Sequence, residues 1–162
     1  MPSISYGIEG RLAPDFGIDT WFNLPEGKSR VELADHADQC VYLYCFQSWC
    51  PGCHSLGFPA MLRMMELFAD EPKLAFLTVQ TVFEGFGTNT LDAAREVARK
   101  YELDIPVGHD PGPESSGSVL MPRYRTGGTP WTIVIDRDRR VRFNGFQADV
   151  AMLAEGIRML CR

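Results

Sequence analysis

The chain has 162 residues, 45% of them hydrophobic and 23% charged, with a formal net charge of -5. That length suits one domain with a real buried core, here residues 1–162, and the acidic balance argues against nucleic acid or an anionic membrane surface as partner. No apolar run approaches the ~20 residues of a bilayer span, and the opening MPSISYGIEGRLAPDF lacks a basic segment followed by an apolar one, so the expected location is cytoplasmic.

Residues 1–40 read as an irregular lead-in with apolar anchors at Phe16, Ile18, Trp21, Phe22 and Leu24. Ala13–Phe16 opens with a turn, Pro25–Lys28 is a hairpin-like turn signal, and Val31–His36 suggests a short helical turn. Val41–Phe46 is almost continuously apolar, as expected of a central strand covered on both faces. The segment from Pro51 carries Leu56, Phe58, Met61, Met64, Met65 and Phe68 at helical spacing and should end near Asp70–Pro72, with a kink at Pro59.

Leu74–Val82 is a second buried strand, followed by the loop Phe83–Gly87. Thr90–Tyr101 has the marks of a helix: Thr90 as N-cap, Asp92 in the first turn, and Arg99 and Lys100 in the last. Asp104–Val107 reads as a short strand and His109–Gly117 as loop throughout. Trp131–Asp136 and Val141–Phe146 predict an antiparallel hairpin, and Asp149–Cys161 a final amphipathic helix. The alternation of strands and helices makes the chain α/β.

The chemistry concentrates in Trp49-Cys50-Pro51-Gly52-Cys53. Pro51 suits a first helical position, so two thiols lie one turn apart where a helix begins. Unpaired N–H groups and the helix dipole favour a thiolate there, most of all at the first cysteine. A thiolate with a second thiol in reach is the minimum apparatus for thiol–disulfide exchange: Cys50 attacks and Cys53 resolves the mixed disulfide.

Cys40, Cys45, Cys50 and Cys53 fall within fourteen residues, which raises a zinc site. A strand between Cys40 and Cys45 would hold them about 16 Å apart, whereas zinc gathers its sulfurs within ~4 Å, so no metal is expected, and no cofactor. Cys45 reads as a small core hydrophobe and Cys161 as an inert or surface thiol. Trp49 is a candidate wall beside the sulfur. His54 and Glu84 are candidates for tuning it, although both residue types are more often plain solvated side chains. Arg123 and Arg125 are most simply solvated.

Through these residues the chain resembles the thioredoxin superfamily, in particular its TlpA-like and AhpC/TSA-type (redoxin) branch. The resemblance covers roughly residues 10–160 and rests on Ala13-Pro14-Asp15-Phe16, Trp49–Cys53, Gly128-Thr129-Pro130 and the strand and hairpin that follow. It implies a thioredoxin-like fold: a central mixed β-sheet flanked by helices, with an N-terminal extension and a central insertion around Thr90–Tyr101. It also implies a cis Thr129–Pro130 bond, with Thr129 pairing with substrate backbone and Pro130 packed on the disulfide. The implied partners are a protein or low-molecular-weight thiol or disulfide and a thioredoxin- or glutathione-type electron donor.

Three positions depart from the family pattern. Pro59 comes one residue late after Cys50, His54 follows the motif where a basic residue is common, and Asp136–Arg139 lacks the usual glycine. Two other functions stand beside the oxidoreductase. In a peroxiredoxin-like peroxidase, Cys50 would become a sulfenic acid and Cys53 would condense with it. The proline and hydroxyl residue of peroxidatic sites are replaced here by Leu43 and Gln47. A non-enzymatic binding module on the same scaffold would have no need of both cysteines.

Overall fold

The computed structural model describes residues 5–146 and 149–162; the first four residues of the lead-in lie outside it. Six strands form one sheet: β1 (Thr20–Phe22), β2 (Cys40–Phe46), β3 (Leu74–Thr81), β4 (Val107–Asp110), β5 (Trp131–Ile135) and β6 (Val141–Gly145). Their spatial order is β1-β4-β3-β2-β5-β6. β2, β3 and β4 run parallel, while β1, β5 and β6 pair antiparallel with their neighbours.

β2 is buried along its whole length because it separates two cores. Side chains alternate across a strand, so Cys40, Tyr42, Tyr44 and Phe46 join one cluster and Val41, Leu43 and Cys45 the other. The first cluster takes residues from the helices α1 (Phe58–Leu67), α2 (Leu91–Lys100) and α4 (Val150–Leu160). The second takes Phe16, Ile18 and Trp21 of the lead-in, with Leu120 and Tyr124 of α3 (Leu120–Tyr124). The mixed sheet with flanking helices is the expected fold, and α2 is the expected central segment, its Thr90 cap accepting the Ala93 N–H at 3.1 Å.

Several local expectations need correction. β4 occupies Val107–Asp110 rather than Asp104–Val107. Pro106 brings no N–H to a ladder, and the polar His109 and Asp110 are strand residues with internal partners. Asp110 accepts from Ser118 Oγ and from the N–H groups of Val119 and Leu120, all at 3.0 Å or less, and so anchors the start of α3. The lead-in contributes the edge strand β1, paired with β4. The turn at Pro25 closes through the Lys28 N–H but joins no strands, and the helical turn near residue 33 is a 3-10 turn, Leu33–His36. At the β5–β6 turn, Arg139 adopts a left-handed φ of 63° where glycine is usual. The Asp136 carboxylate holds that turn by accepting the N–H groups of Asp138 and Arg140.

The helix that starts at Pro51 is π-wound over Cys53–Gly57 before continuing as α1. The Phe58 N–H reaches back five residues to the Cys53 carbonyl. A π turn holds one residue more than an α turn, which accommodates the late Pro59. The Cys53 carbonyl also accepts the Tyr44 hydroxyl of β2 at 3.1 Å. Burial pushes that hydroxyl far above its ordinary range, so it stays a neutral donor. A Cβ on Gly57 would overlap the Tyr44 hydroxyl, whereas one on Gly156 of α4 would meet nothing. Gly57→Ala should therefore destabilise the fold by roughly 1–3 kcal/mol, and Gly156→Ala should stabilise it by roughly 0.5–1 kcal/mol. Urea titrations of the two variants check both signs.

Candidate active site

The sheet delivers Cys50 and Cys53 just beyond the carboxyl end of β2. They are joined as a disulfide, with Cα atoms 5.2 Å apart. The two sulfurs are not equivalent: Cys50 is half-buried, while Cys53 is fully buried under the helix. The Cys53 backbone N–H points at Cys50 Sγ from 3.2 Å, and the Thr129 hydroxyl donates to the same sulfur from 3.6 Å.

The Thr129–Pro130 bond is cis. Pro130 Cδ lies 3.3 Å from where a Gly52 side chain would begin, so Pro130 and the Pro51-Gly52 turn are in contact. A groove of about 590 Å³ extends from Pro130 along the π turn, past Leu56, Thr132 and Phe146, to Asp149.

Trp49 is 67% exposed and leans away over a hollow of about 300 Å³ that it lines with Glu84, Gly85, Thr88 and Asn89. Glu84 itself is exposed, and the hydrogen bonds it makes from its backbone go to Gln47 and Asn89. His54 faces away from the sulfur. Its Nε2 bonds the Ser48 carbonyl at 2.7 Å, and its Nδ1 meets the Tyr101 hydroxyl at 2.6 Å. A carbonyl only accepts, so Nε2 carries the hydrogen and Nδ1 accepts from Tyr101 in the neutral ring. His54 thus ties the loop before the motif to the end of α2, its ring lying beside Phe58 and Tyr101, which stack directly on each other. That is a positioning contact.

Sequence reasoning missed three buried amides that hold this loop. Gln80 Oε1 accepts the N–H and the hydroxyl of Ser48 at 2.7 and 2.5 Å, and its Nε2 donates to the Thr90 carbonyl and to His109 Nδ1. Asn89 Oδ1 accepts the Trp49 N–H at 2.8 Å while its Nδ2 donates to the Glu84 carbonyl. Gln47 Oε1 accepts the Phe83 and Glu84 N–H groups. A glutamine inside an apolar run such as Leu74–Val82 was the available signal, since a buried amide must be satisfied. Gln47 also occupies the place of the peroxidatic hydroxyl, with its oxygen turned to the backbone.

A helix-start disulfide with one reachable sulfur, two donors aimed at that sulfur and a cis-proline against the turn defines a thioredoxin-like redox site. The chain belongs to the AhpC/TSA family, whose model matches residues 10–144. Among solved structures, a thioredoxin-like superfamily protein is 30% identical, with 93% of this chain and 96% of that one covered and a TM-score of 0.81. A thiol-disulfide isomerase from Corynebacterium glutamicum is 26% identical over 92% and 96% of the two chains, with a TM-score of 0.75. A thioredoxin-family thiol:disulfide interchange protein from Chlorobium tepidum is 18% identical over 99% and 100%, with a TM-score of 0.67, and speaks for the fold alone. No protein of curated function matches the chain.

Replacing Gln80 by Met should cost roughly 1–3 kcal/mol, because the Ser48 N–H loses its acceptor; chemical denaturation reads the loss. Burial also holds His109 below its ordinary range. The unfolded chain then binds the proton more readily, so the neutral ring contributes stability above about pH 6.5 that is lost on acidification. A His109→Gln variant should have a flatter stability profile between pH 5 and about 7 than the parent.

Proposed function

We propose that the protein is a thiol–disulfide oxidoreductase in which Cys50 is the attacking thiolate and Cys53 the resolving thiol. The observation that carries this reading is the asymmetry of the pair. The Cys53 N–H and the Thr129 hydroxyl both aim at the half-exposed Cys50 sulfur. On reduction these donors favour negative charge on Cys50, as does its position at the helix start.

In the reducing direction, the Cys50 thiolate attacks a substrate disulfide and expels one substrate thiolate. Cys53 then loses its proton and attacks Cys50 Sγ, releasing the second thiolate and closing the Cys50–Cys53 disulfide. Two electrons pass to the substrate, and a thioredoxin- or glutathione-type donor restores the dithiol. The groove beside cis-Pro130 suits an extended substrate chain, with the Thr129 backbone as its pairing partner and Pro130 packed beside the sulfurs, while the exposed Trp49 ring offers a separate substrate contact on its own side of the motif. We assign His54 a supporting role through Ser48 and Tyr101, and Glu84 a place at the rim of the Trp49 hollow. The further thiols Cys40, Cys45 and Cys161 are unpaired, the usage typical of a reducing compartment, which supports a cytoplasmic reductase.

The AhpC/TSA match keeps the thiol peroxidase in contention, and one sample separates the two activities. Equilibration in glutathione or dithiothreitol buffers should give a two-electron couple between about -270 and -120 mV, with negligible hydrogen peroxide turnover. Cys50→Ser should abolish exchange, and Cys53→Ser should leave substrate trapped as a mixed disulfide. Rapid peroxide reduction that disappears in Cys50→Ser would establish the peroxidase instead.

A further inference from the structure

Cys40 and Cys161 are 121 positions apart in the sequence, yet the fold brings them together at the end of β2 remote from the active site. Both are buried in the same cluster, where the last turn of α4 meets the first residue of β2. Their contacts are reciprocal. The Cys40 thiol faces the carbonyl of Leu160, the neighbour of Cys161, at 3.8 Å. The Cys161 thiol faces the Lys73 carbonyl at 3.8 Å, and that carbonyl also accepts the Cys40 N–H at 2.8 Å. The two thiols thus share the pocket formed by the Lys73 and Leu160 carbonyls. Cys161 is therefore neither a surface thiol nor an isolated one.

We propose that Cys40 and Cys161 are a second redox-active pair, a dithiol in reducing conditions that closes to a disulfide when the thiol pool is oxidised and so staples α4 to the head of β2. The oxidant is a small disulfide of the glutathione class. The Cys161 thiol loses its proton and attacks one glutathione sulfur, expelling a glutathione thiolate. The Cys40 thiol then loses its proton and attacks Cys161 Sγ, expelling the second. One S–S bond forms as one breaks, the pair gives up two electrons, and glutathione disulfide becomes two molecules of glutathione.

The order follows from position. Cys161 is the C-cap of α4, and a helix end frays more readily than the head of a central strand, which exposes Cys161 first. Burial pushes the Cys40 thiol up to about 12, which makes it a poor first attacker in the closed state. Arg137 is the cation that opposes burial at both thiols, and its side chain also bonds the Arg162 carbonyl. β2 spans about 20 Å from Cys40 to Phe46, too far for direct exchange with Cys50 in the same molecule. The second pair is thus an independent couple, and the proposal does not rest on the activity assigned to Cys50 and Cys53.

The test uses the full chain as a Cys50→Ser/Cys53→Ser variant, whose remaining thiols are Cys40, Cys45 and Cys161. It is incubated with glutathione disulfide just below its melting temperature, so that α4 frays, then alkylated in denaturant and digested. The expected result is a peptide linking Cys40 to Cys161, alkylation confined to Cys45, and a melting temperature higher by about 5–15 °C. Adding Cys161→Ser to the variant should remove both the link and the shift. Cys40 and Cys161 left free, a glutathione adduct on Cys161 that Cys40 does not resolve, or a link that lowers the melting temperature would each overturn the proposal.

Discussion

The hydrogen bond from the Cys53 N–H to Cys50 Sγ, 3.2 Å long, is the contact on which the rest of the site depends. It exists because Cys50 precedes the first turn of a helix, whose leading N–H groups point back at it; the Cys53 N–H also reaches the Cys50 carbonyl, at 3.0 Å. The Thr129 hydroxyl adds a second donor from the segment that leads into β5, the antiparallel neighbour of β2. One sulfur is therefore reachable and surrounded by donors, while the other is covered. A symmetric pair could not divide attack and resolution between two residues.

Holding that geometry takes more than the helix. β2 ends at Phe46, and the chain turns through Gln47 and Ser48 to present Trp49 and Cys50. Buried amides at Gln80 and Asn89 take up the Ser48 and Trp49 N–H groups of the turn, and Gln47 ties it to the Phe83 and Glu84 N–H groups in the loop after β3. His54 closes the other side through Ser48 and Tyr101. The π turn sets how deep Cys53 lies, because its carbonyl is shared between the Phe58 N–H and the Tyr44 hydroxyl. The active-site loop thus rests on three elements of the fold, β2, β3 and α2.

Much of this was legible in the residues. Unbroken apolar runs identified β2 and β3, Thr90 and its flanking charges identified α2, and Pro51 after Cys50 marked the helix start. Cis-Pro130 followed from family resemblance. What stayed hidden has a common cause: polar residues serving internal roles resemble solvated ones. His109 and Asp110 looked like loop but lie in β4, and Gln80 looked incidental but supports the loop before Trp49. Contacts between distant segments were equally invisible, which is why Cys161 read as an inert or surface thiol until the fold placed it beside Cys40. The π turn left only one trace, Pro59 arriving a residue late.

The most direct measurement is the pH dependence of alkylation of the fully reduced protein, with the two cysteines quantified separately by peptide mass. An unperturbed thiol titrates near 8.5. Cys50 should be modified first, with an inflection below about 7.5, while Cys53 stays protected across that range. Preferential modification of Cys53, or a Cys50 inflection at the ordinary thiol value, would contradict it.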